Sequence, residues 1–288
     1  MAASSVIIFI VGPSLVLHPK RHDEEYFEQK SVPLVPSDLE MNYIEVKITV
    51  EENVSLHGWF IPSKEKSRGT IIYMHGVGSS KIVGLPFVKS LHENRFNVLM
   101  YDSRAHGKSG GRFCTYGFYE KFDLQKAINL VETILGKKIK KIGVYGNSMG
   151  GAIALQGATV EPRICALVVE GCFTNLRTIT VDYQTRITKM PWHYLRNIAM
   201  KRSEAKAKFS HHDVSPLRAI KRVTVPILLV HGTKDNFCKP QYSKTLFDAA
   251  TSPKELFFVE GAGHHNLRKF GGESYALKIS KFFAKNLK

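Results

Sequence analysis

The most constraining stretch of the chain is residues 140–155, KKIGVYGNSMGGAIAL, with Gly146-Asn147-Ser148-Met149-Gly150 at its centre. A short β-type run precedes Ser148, and a run of small residues suited to a helix follows it. A serine with glycine two residues away on each side is the strand-turn-helix pattern of a nucleophile elbow. The turn strains the serine backbone, and residues without a Cβ let strand and helix approach closely. Ser148 is therefore a candidate nucleophile, and the alternative is a glycine-rich turn with a bystander serine.

The length and composition allow one large α/β domain or two small ones. The chain has 288 residues, 43% of them hydrophobic, which is enough for a sizeable core without disulfides or metal ions. The cysteines form no C-x-x-C pair and show no metal-ligand spacing, so we expect free thiols in a reducing compartment. They are Cys114, Cys165, Cys172 and Cys238.

The formal net charge of +16 raises the question of an anionic partner. The basic residues are spread along the chain, with small clusters at 137–141, 201–208 and 218–222. None of these clusters is interleaved with aromatic residues in a nucleic-acid-binding motif, which disfavours DNA or RNA as a partner. A basic surface that faces anionic lipid is at least as good an interpretation.

The first 19 residues carry no charged side chain, and residues 6–17 are apolar apart from Gly12-Pro13-Ser14. As a helix this segment would be about 28 Å long, marginal for a bilayer that asks for about 20 apolar residues. Basic residues follow the segment and none precede it, which disfavours a cleaved secretory signal. Two interpretations stay open: a membrane anchor that keeps the domain on the cytoplasmic side, or an apolar arm packed on the domain.

The remaining pattern predicts an α/β fold. Residues 20–42 are charged and proline-marked and indicate a connecting arm, and the alternating runs 43–50 and 53–60 predict a β-hairpin. Apolar strands and helices then alternate, which is typical of a parallel sheet covered on both faces, with its chemistry at the carboxyl ends of the strands. The predicted strands are 70–74, 96–101, 139–145, 164–170, 225–230 and 255–259, and the predicted helices are 82–93, 120–135, 150–158 and 274–283.

Residues 172–215 interrupt this alternation. They contain two predicted helices, near 178–190 and 193–209, with aromatic residues among arginines and lysines. The aromatic residues are Tyr183, Trp192, Tyr194 and Phe209. The insertion is interpreted either as a lid over the site or as a solvated helical element.

A base and an acid for Ser148 are expected in loops after later strands. Asp235 follows the strand at 225–230 in His231-Gly232-Thr233-Lys234-Asp235, and His264 follows the strand at 255–259 in Gly263-His264-His265. The chain order Ser148, Asp235, His264 is that of an α/β-hydrolase triad. Three alternatives stay open: Asp235 as the cap of a helix near Lys239, His265 as the base, and Glu170 as the acid.

These motifs together resemble the α/β-hydrolase superfamily over residues 43–287. They include His75-Gly76 after the first parallel strand and Asp102-Ser103-Arg104-Ala105-His106-Gly107 after the next. The resemblance implies an α/β-hydrolase fold with a mostly parallel sheet, an N-terminal antiparallel hairpin, helices on both faces and a short helical lid in a domain spanning 43–288. It also implies that His75 shapes a loop and that Ala105 stands where glycine is common.

The resemblance implies two backbone donors for an oxyanion, Val77 after His75-Gly76 and Met149 after the nucleophile. The expected activity is hydrolysis of carboxylic esters or thioesters of small or acyl-chain, lipid-like substrates through an acyl-enzyme. The chain is similar to small membrane-tethered members of the superfamily. A serine peptidase or an acyltransferase is the alternative, and a non-enzymatic binding protein is a further one. No cofactor and no metal are expected for this chemistry. The glycines near Ser148 lack the spacing and the lysine of a phosphate-binding loop.

Overall fold

The computed structural model describes residues 12–287 apart from 23, 137, 140 and 189–192. Residues 1–11 of the apolar N-terminal segment therefore lie outside the described residues, as do Trp192 and Lys189 of the predicted lid. Within the described ranges, no helix combines the length and the apolar character needed to cross a membrane.

The described strands form one eight-stranded sheet in the order β1-β2-β4-β3-β5-β6-β7-β8. Strand β1 pairs antiparallel with β2, and β2 pairs antiparallel with β4, whereas every other pairing is parallel. The predicted N-terminal hairpin and mostly parallel sheet are confirmed. The strands are β1 Ile44–Glu51, β2 Val54–Ile61, β3 Thr70–Met74, β4 Asn97–Tyr101, β5 Ile142–Asn147, β6 Ile164–Glu170, β7 Ile227–Gly232 and β8 Lys254–Val259.

The helices cover both faces of this sheet. They are α1 Gly12–Leu17, α2 Glu24–Glu28, α3 Leu85–Glu93, α4 Glu120–Leu135, α5 Met149–Gly157, α6 Leu176–Thr188, α7 His193–Ala207, α8 Pro216–Ile220, α9 Pro240–Ala249 and α10 Leu267–Asn286. The predicted start of the last helix, Ser274, is wrong by seven residues. Helix α10 begins at Leu267 and contains a break at Gly272, where φ is 53°. Two adjacent glycines are poor helix formers, so the turns before the break give a weak sequence signal.

The sheet separates two hydrophobic cores. Ile72, Leu99 and Val144 pack on one face, and Ile71 and Val98, their neighbours along β3 and β4, pack on the other. All five side chains are fully buried. Successive residues of a strand point to opposite faces, so a strand buried throughout requires helices on both sides. The apolar runs of the sequence therefore correspond to central strands.

The carboxyl ends of β3, β5, β7 and β8 lie at the same edge of the sheet, because these strands are parallel. Strand β7 extends to Gly232, so His231 is part of the strand. The sequence analysis placed His231 in the following loop, and this assignment is wrong. Strand β7 pairs with β8 as far as Gly232 opposite Val259, which prolongs the strand beyond its apolar run.

The described part of the N-terminal segment packs on the domain. Helix α1 lies against helix α7 of the insertion, and Leu17 is fully buried in the larger core. The carbonyl of Leu17 accepts a hydrogen bond from Cys114 N at 2.9 Å, and Tyr116 donates its hydroxyl to the carbonyl of Val16 at 3.0 Å. Residues 16 and 17 are therefore part of the folded unit.

We predict that Leu17→Ala lowers the free energy of unfolding by about 2–4 kcal/mol, because it leaves a cavity in a packed core. Urea unfolding followed by circular dichroism measures the change. Val32→Ala is the matched control, since Val32 is 38% exposed and its truncation should cost less than about 0.5 kcal/mol. Equal losses in the two variants would contradict the packing of α1.

Candidate active site

Ser148 occupies a strained turn between β5 and α5. Its φ and ψ are 52° and −112°, in a region that residues with a side chain seldom adopt. A Cβ at position 146 would lie 2.2 Å from the carbonyl oxygen of Gly150, and a Cβ at position 150 would lie 2.3 Å from that of Met74. Both glycines are therefore sterically required. The turn places the hydroxyl of Ser148 at the carboxyl edge of the sheet.

The structure brings Ser148, His264 and Asp235 together in one hydrogen-bonded line. The Nε2 atom of His264 lies 3.1 Å from the Oγ atom of Ser148, and its Nδ1 atom lies 2.6 Å from the Oδ2 atom of Asp235. Their exposures are 4%, 8% and 3%, respectively. An Nδ1–H that donates to the carboxylate leaves the Nε2 lone pair directed at the serine hydroxyl. The arrangement can deprotonate Ser148.

Asp235 is held as a carboxylate by donors on both oxygens. Its Oδ1 atom accepts hydrogen bonds from the backbone N–H groups of Phe237 at 2.8 Å and Cys238 at 2.9 Å. The Nε2 atom of His231 lies 3.2 Å from Oδ2, the oxygen that His264 also contacts. Although burial opposes ionisation, the hydrogen bonds from His231 and His264 hold the pKa of Asp235 well below its usual range.

The rival residues have other partners. His265 is exposed and stacks edge-on against Phe237 at a ring distance of 4.8 Å. The Glu170 carboxylate accepts hydrogen bonds from Asn147 and Tyr145, each at 2.5 Å, and also from the hydroxyl of Tyr275. Within the described structure, His264 is the histidine that contacts the serine, and Asp235 is the acid that contacts His264.

Asp235 is not the cap of helix α9. The N-cap of α9 is Lys239, and its side chain makes no capping hydrogen bond. The carboxylate of Asp235 instead binds the amides of the turn that precedes this helix. Asp235 therefore organises its own loop and simultaneously orients His264.

Val77 and Met149 both lie next to the nucleophile. Val77 lines the cavity that contains Ser148, and Met149 is the first residue of α5. In the part of the chain that the structure describes, no group accepts a hydrogen bond from either backbone N–H. Unengaged amides at the start of a helix favour a developing negative charge. These two amides are available to bind an oxyanion.

Two buried histidines hold the loop that carries Val77. His75 interacts through Nδ1 with the carbonyl of Gly76 at 2.8 Å, and its Nε2 accepts from Ser103 N at 2.9 Å. His106 accepts from Gly78 N at 3.1 Å through Nε2. Both rings must be neutral to accept these bonds. Burial lowers the pKa of His75. Burial and the neighbouring His75 together lower the pKa of His106 to about 3.

The loop after β4 explains the residue that departs from the superfamily pattern. Ala105 has a φ of 61°, in the left-handed region that glycine adopts without strain. The buried carboxylate of Asp102 stabilises this loop, because it accepts from Lys81 Nζ at 2.7 Å and from Lys108 N at 3.1 Å. This backbone geometry gives a physical reason for the glycine that the resemblance implies at position 105.

A cavity of about 340 Å³ opens onto the serine. It is lined by Tyr73, Gly76, Val77, Ser79, Val83, Asn147, Ser148, Glu170, Tyr183, Phe237, His264, His265, Leu267 and Arg268. Its wall combines aromatic rings with a few polar groups, as is usual for sites that bind small organic molecules. Among the described residues, no group of three or more His, Cys, Asp or Glu side chains is placed to hold a metal ion.

Helix α6 of the insertion contributes to the cavity through Tyr183. The guanidinium of Arg186, on the same helix, lies 3.9 Å from the ring centre of Phe237, next to the triad. Part of the segment predicted as a lid therefore borders the site.

Sequence reasoning missed several residues around the site. His231 is hydrogen-bonded to Ser243 at 2.6 Å and to the carbonyl of Cys238 at 2.7 Å. These bonds stabilise the loop that carries Asp235. Arg268 and His106 were likewise not assigned a role. A histidine at the end of an apolar strand is a weak signal, and Arg268 lies in a charged stretch that resembles an exposed surface.

Comparison with protein families matches residues 65–221 and 214–268 to the model described as serine aminopeptidase, S33. The chain is 30% identical to YfhR of Escherichia coli O157:H7 over 226 residues, which cover 76% of this chain and 72% of that protein. It is 27% identical to bem46 of Schizosaccharomyces pombe over 263 residues, which cover 90% of this chain and 82% of that protein.

Among solved structures, the esterase Pf2001 of Pyrococcus furiosus superposes with a TM-score of 0.77. The two sequences are 27% identical, and the superposition covers 95% of this chain and 99% of the esterase. A dienelactone hydrolase from Anabaena variabilis, at 18% identity and a TM-score of 0.63, covers 86% of this chain and shares the fold.

We predict that acid destabilises the protein partly through His106. The folded state keeps this ring neutral down to about pH 3, whereas the unfolded chain protonates it below about pH 6.5. Between these values the unfolded state binds the extra proton, so the stability falls as the pH falls, by about 1.4 kcal/mol per pH unit.

Urea unfolding of wild type and His106→Gln at pH 7, 6, 5 and 4 isolates this contribution, because other titrating groups are common to both proteins. We expect the stability difference between them to shrink as the pH falls. A difference that is constant over this range would contradict a neutral, buried His106.

Proposed function

The chain belongs to the serine aminopeptidase S33 family of α/β hydrolases and is a hydrolase, and we propose that it cleaves carboxylic esters or thioesters with Ser148 as the nucleophile. In this proposal His264 is the general base and Asp235 orients it. The backbone N–H groups of Val77 and Met149 bind the oxyanion.

One observation carries the proposal: the line of hydrogen bonds from Ser148 through His264 to Asp235, at 3.1 and 2.6 Å. A serine hydroxyl is a weak nucleophile until a base removes its proton, and an imidazole is a good base at neutral pH when a carboxylate stabilises its cation. The strained elbow supports the proposal further, because a role in packing alone would not explain why Ser148 adopts an unfavourable backbone conformation.

The proposed reaction has two steps. In the first, His264 Nε2 takes the proton of Ser148 as its Oγ atom bonds to the acyl carbon, and the tetrahedral oxyanion is stabilised by the two amides. Imidazolium then gives the proton to the departing oxygen or sulfur, and the acyl-enzyme forms. In the second step, water attacks the acyl carbon after giving a proton to His264, and the acid leaves as Ser148 regains its proton.

An ester or thioester is the proposed substrate class. The likeness to an esterase over nearly the whole chain supports this choice. A thioester fits the same mechanism, because a thiolate is a good leaving group. A peptidase activity is the second candidate, since the family description names a serine aminopeptidase. The lid is proposed to be residues 172–215, with Tyr183 as its contact with the substrate.

We also propose that the protein associates with the cytoplasmic face of a membrane through the part of the apolar N-terminal segment that precedes α1 and through the basic side chains near α1. The pKa of His18 is lowered by burial and by the nearby charges of Lys206, Arg112 and Arg21. Such a cluster of cations beside an apolar segment suits a surface of anionic lipids.

A serine-reactive fluorophosphonate probe tests the nucleophile. We expect it to label the wild type and to label Ser148→Ala at background level. The turnover of matched butanoate esters, butanoate thioesters and aminoacyl anilides should fall at least 10³-fold in Ser148→Ala and His264→Ala, because both steps use both groups.

His265→Ala is the comparison variant, and its turnover should fall less than about tenfold, since its ring contacts neither Ser148 nor Asp235. Equal labelling of wild type and Ser148→Ala would overturn the proposed nucleophile. Cleavage of the anilides alone would assign the protein to the peptidases.

Binding to lipid vesicles tests the membrane proposal. Each basic residue near an anionic surface contributes about 1 kcal/mol, so Arg112→Gln with Lys206→Gln should weaken co-sedimentation with phosphatidylserine vesicles about 30-fold. Lys281→Gln with Lys285→Gln removes the same charge from α10 and should change binding little. Equal losses in both double variants would contradict a surface localised at α1.

A further inference from the structure

Two charged side chains, Glu170 and Arg268, line the cavity beside the serine. The guanidinium of Arg268 lies over aromatic rings, with its Cζ atom 4.9 Å from the ring centre of Phe87 and 5.7 Å from that of Tyr73. Cation–π contacts of this kind hold a guanidinium in one plane at low entropic cost. Arg268 is therefore a positioned cation in the wall of the site.

The hydrogen-bonding capacity of Arg268 is only partly used. One Nη atom donates to the carbonyl of Val83 at 3.1 Å, and the other donates to the hydroxyl of Tyr73 at 3.2 Å. A guanidinium has five N–H donors. Both acceptors are uncharged, and in the described structure no carboxylate forms an ion pair with Arg268. The guanidinium therefore keeps N–H donors that no described residue accepts.

Glu170 is close enough for its charge to favour the Arg268 cation. The two side chains form no direct ion pair, because both Glu170 oxygens bind other donors. Asn147 donates to Oε1, and the hydroxyls of Tyr145 and Tyr275 both donate to Oε2. Three donors stabilise this carboxylate in a buried position at the base of the cavity. The negative charge is thus held by groups of the protein, while the free donors of Arg268 are available to a ligand.

We propose that Arg268 is a specificity-determining residue that binds a carboxylate or phosphate group of the substrate. This inference rests on the proposed function and narrows it: the substrate is an ester or thioester that carries a second, anionic group within the span of the cavity. A guanidinium matches the two oxygens of a carboxylate or phosphate with parallel N–H groups.

A purely structural role for Arg268 makes a different prediction. In that case the residue only ties Val83 to Tyr73, and its loss disturbs neutral and anionic substrates equally. The ratio of kcat/KM for an anionic substrate to kcat/KM for a neutral one, measured in the same variant, separates the two roles. A disturbed fold lowers both values and leaves their ratio unchanged.

The test compares kcat/KM for 4-nitrophenyl butanoate with that for 4-nitrophenyl hemisuccinate, and kcat/KM for phenyl acetate with that for 4-acetoxybenzoate. The first pair places the carboxylate on the acyl half, and the second places it on the alcohol half. We expect Arg268→Gln to lower the anionic-to-neutral ratio about 10- to 100-fold in at least one pair. Arg268→Lys keeps the charge without the fork and should give an intermediate ratio.

Arg68→Gln is the matched control. It removes the same charge from an exposed residue that precedes β3, at the opposite edge of the sheet from the site, and should leave both ratios unchanged. Ratios for Arg268→Gln within threefold of wild type in both pairs would overturn the proposal. Free succinate and inorganic phosphate are tested as inhibitors of the wild type and of Arg268→Gln. The anion that inhibits the wild type more strongly, and whose inhibition is lost in Arg268→Gln, identifies the preferred group.

A binding measurement keeps this inference separate from the proposed function. In Ser148→Ala, which should not turn over substrate, calorimetry gives the Kd of 4-nitrophenyl hemisuccinate. Adding Arg268→Gln should raise this Kd about 10- to 100-fold. An unchanged Kd would reject the anion site. Full turnover by Ser148→Ala would reject the nucleophile instead, and the anionic-to-neutral ratios of kcat/KM would still test the anion site.

Discussion

The strained turn at Ser148 is the constraint on which the rest of the site depends. A positive φ at a serine is unfavourable, and it persists because β5 lies at the centre of the sheet with α5 packed directly against it. The close approach of Gly146 to Gly150, and of Gly150 to Met74, leaves no space for side chains. Two well-packed cores stabilise the sheet on which this turn is built. The site is thus rigid because of packing far from its chemistry.

Buried histidines organise the groups around the turn. His75 and His106 fix the loop that carries Val77, and His231 contacts the same Asp235 oxygen, Oδ2, as His264. Each of these rings accepts or donates a specific bond to a backbone or side-chain group, which neutral imidazole can do in both senses at once. Burial keeps the rings at His75 and His106 neutral at physiological pH. Because these two rings are buried, their protonation at low pH would disrupt the loop that they hold.

The two charged side chains of the cavity, Glu170 and Arg268, have different roles. Glu170 lines the cavity and accepts hydrogen bonds from three donors of the protein. Arg268 is held by aromatic rings and uncharged acceptors, so its charge is available to what enters the cavity. An aromatic wall and Tyr183 of the insertion complete the cavity, and the proposed substrate is an acyl compound that carries an anionic group.

The sequence by itself determined the alternation of strands and helices, the hairpin that precedes it, and the elbow at Ser148. These features depend on local periodicity and on the steric freedom of glycine, both of which can be read from neighbouring residues. It also placed Asp235 and His264 at one edge, since the ends of parallel strands meet there. Only the tertiary structure decided that His264 rather than His265 contacts Ser148, that Glu170 binds tyrosines, and that Arg268 lines the cavity. Those choices depend on the direction of each side chain, which is set by packing between elements distant in the sequence.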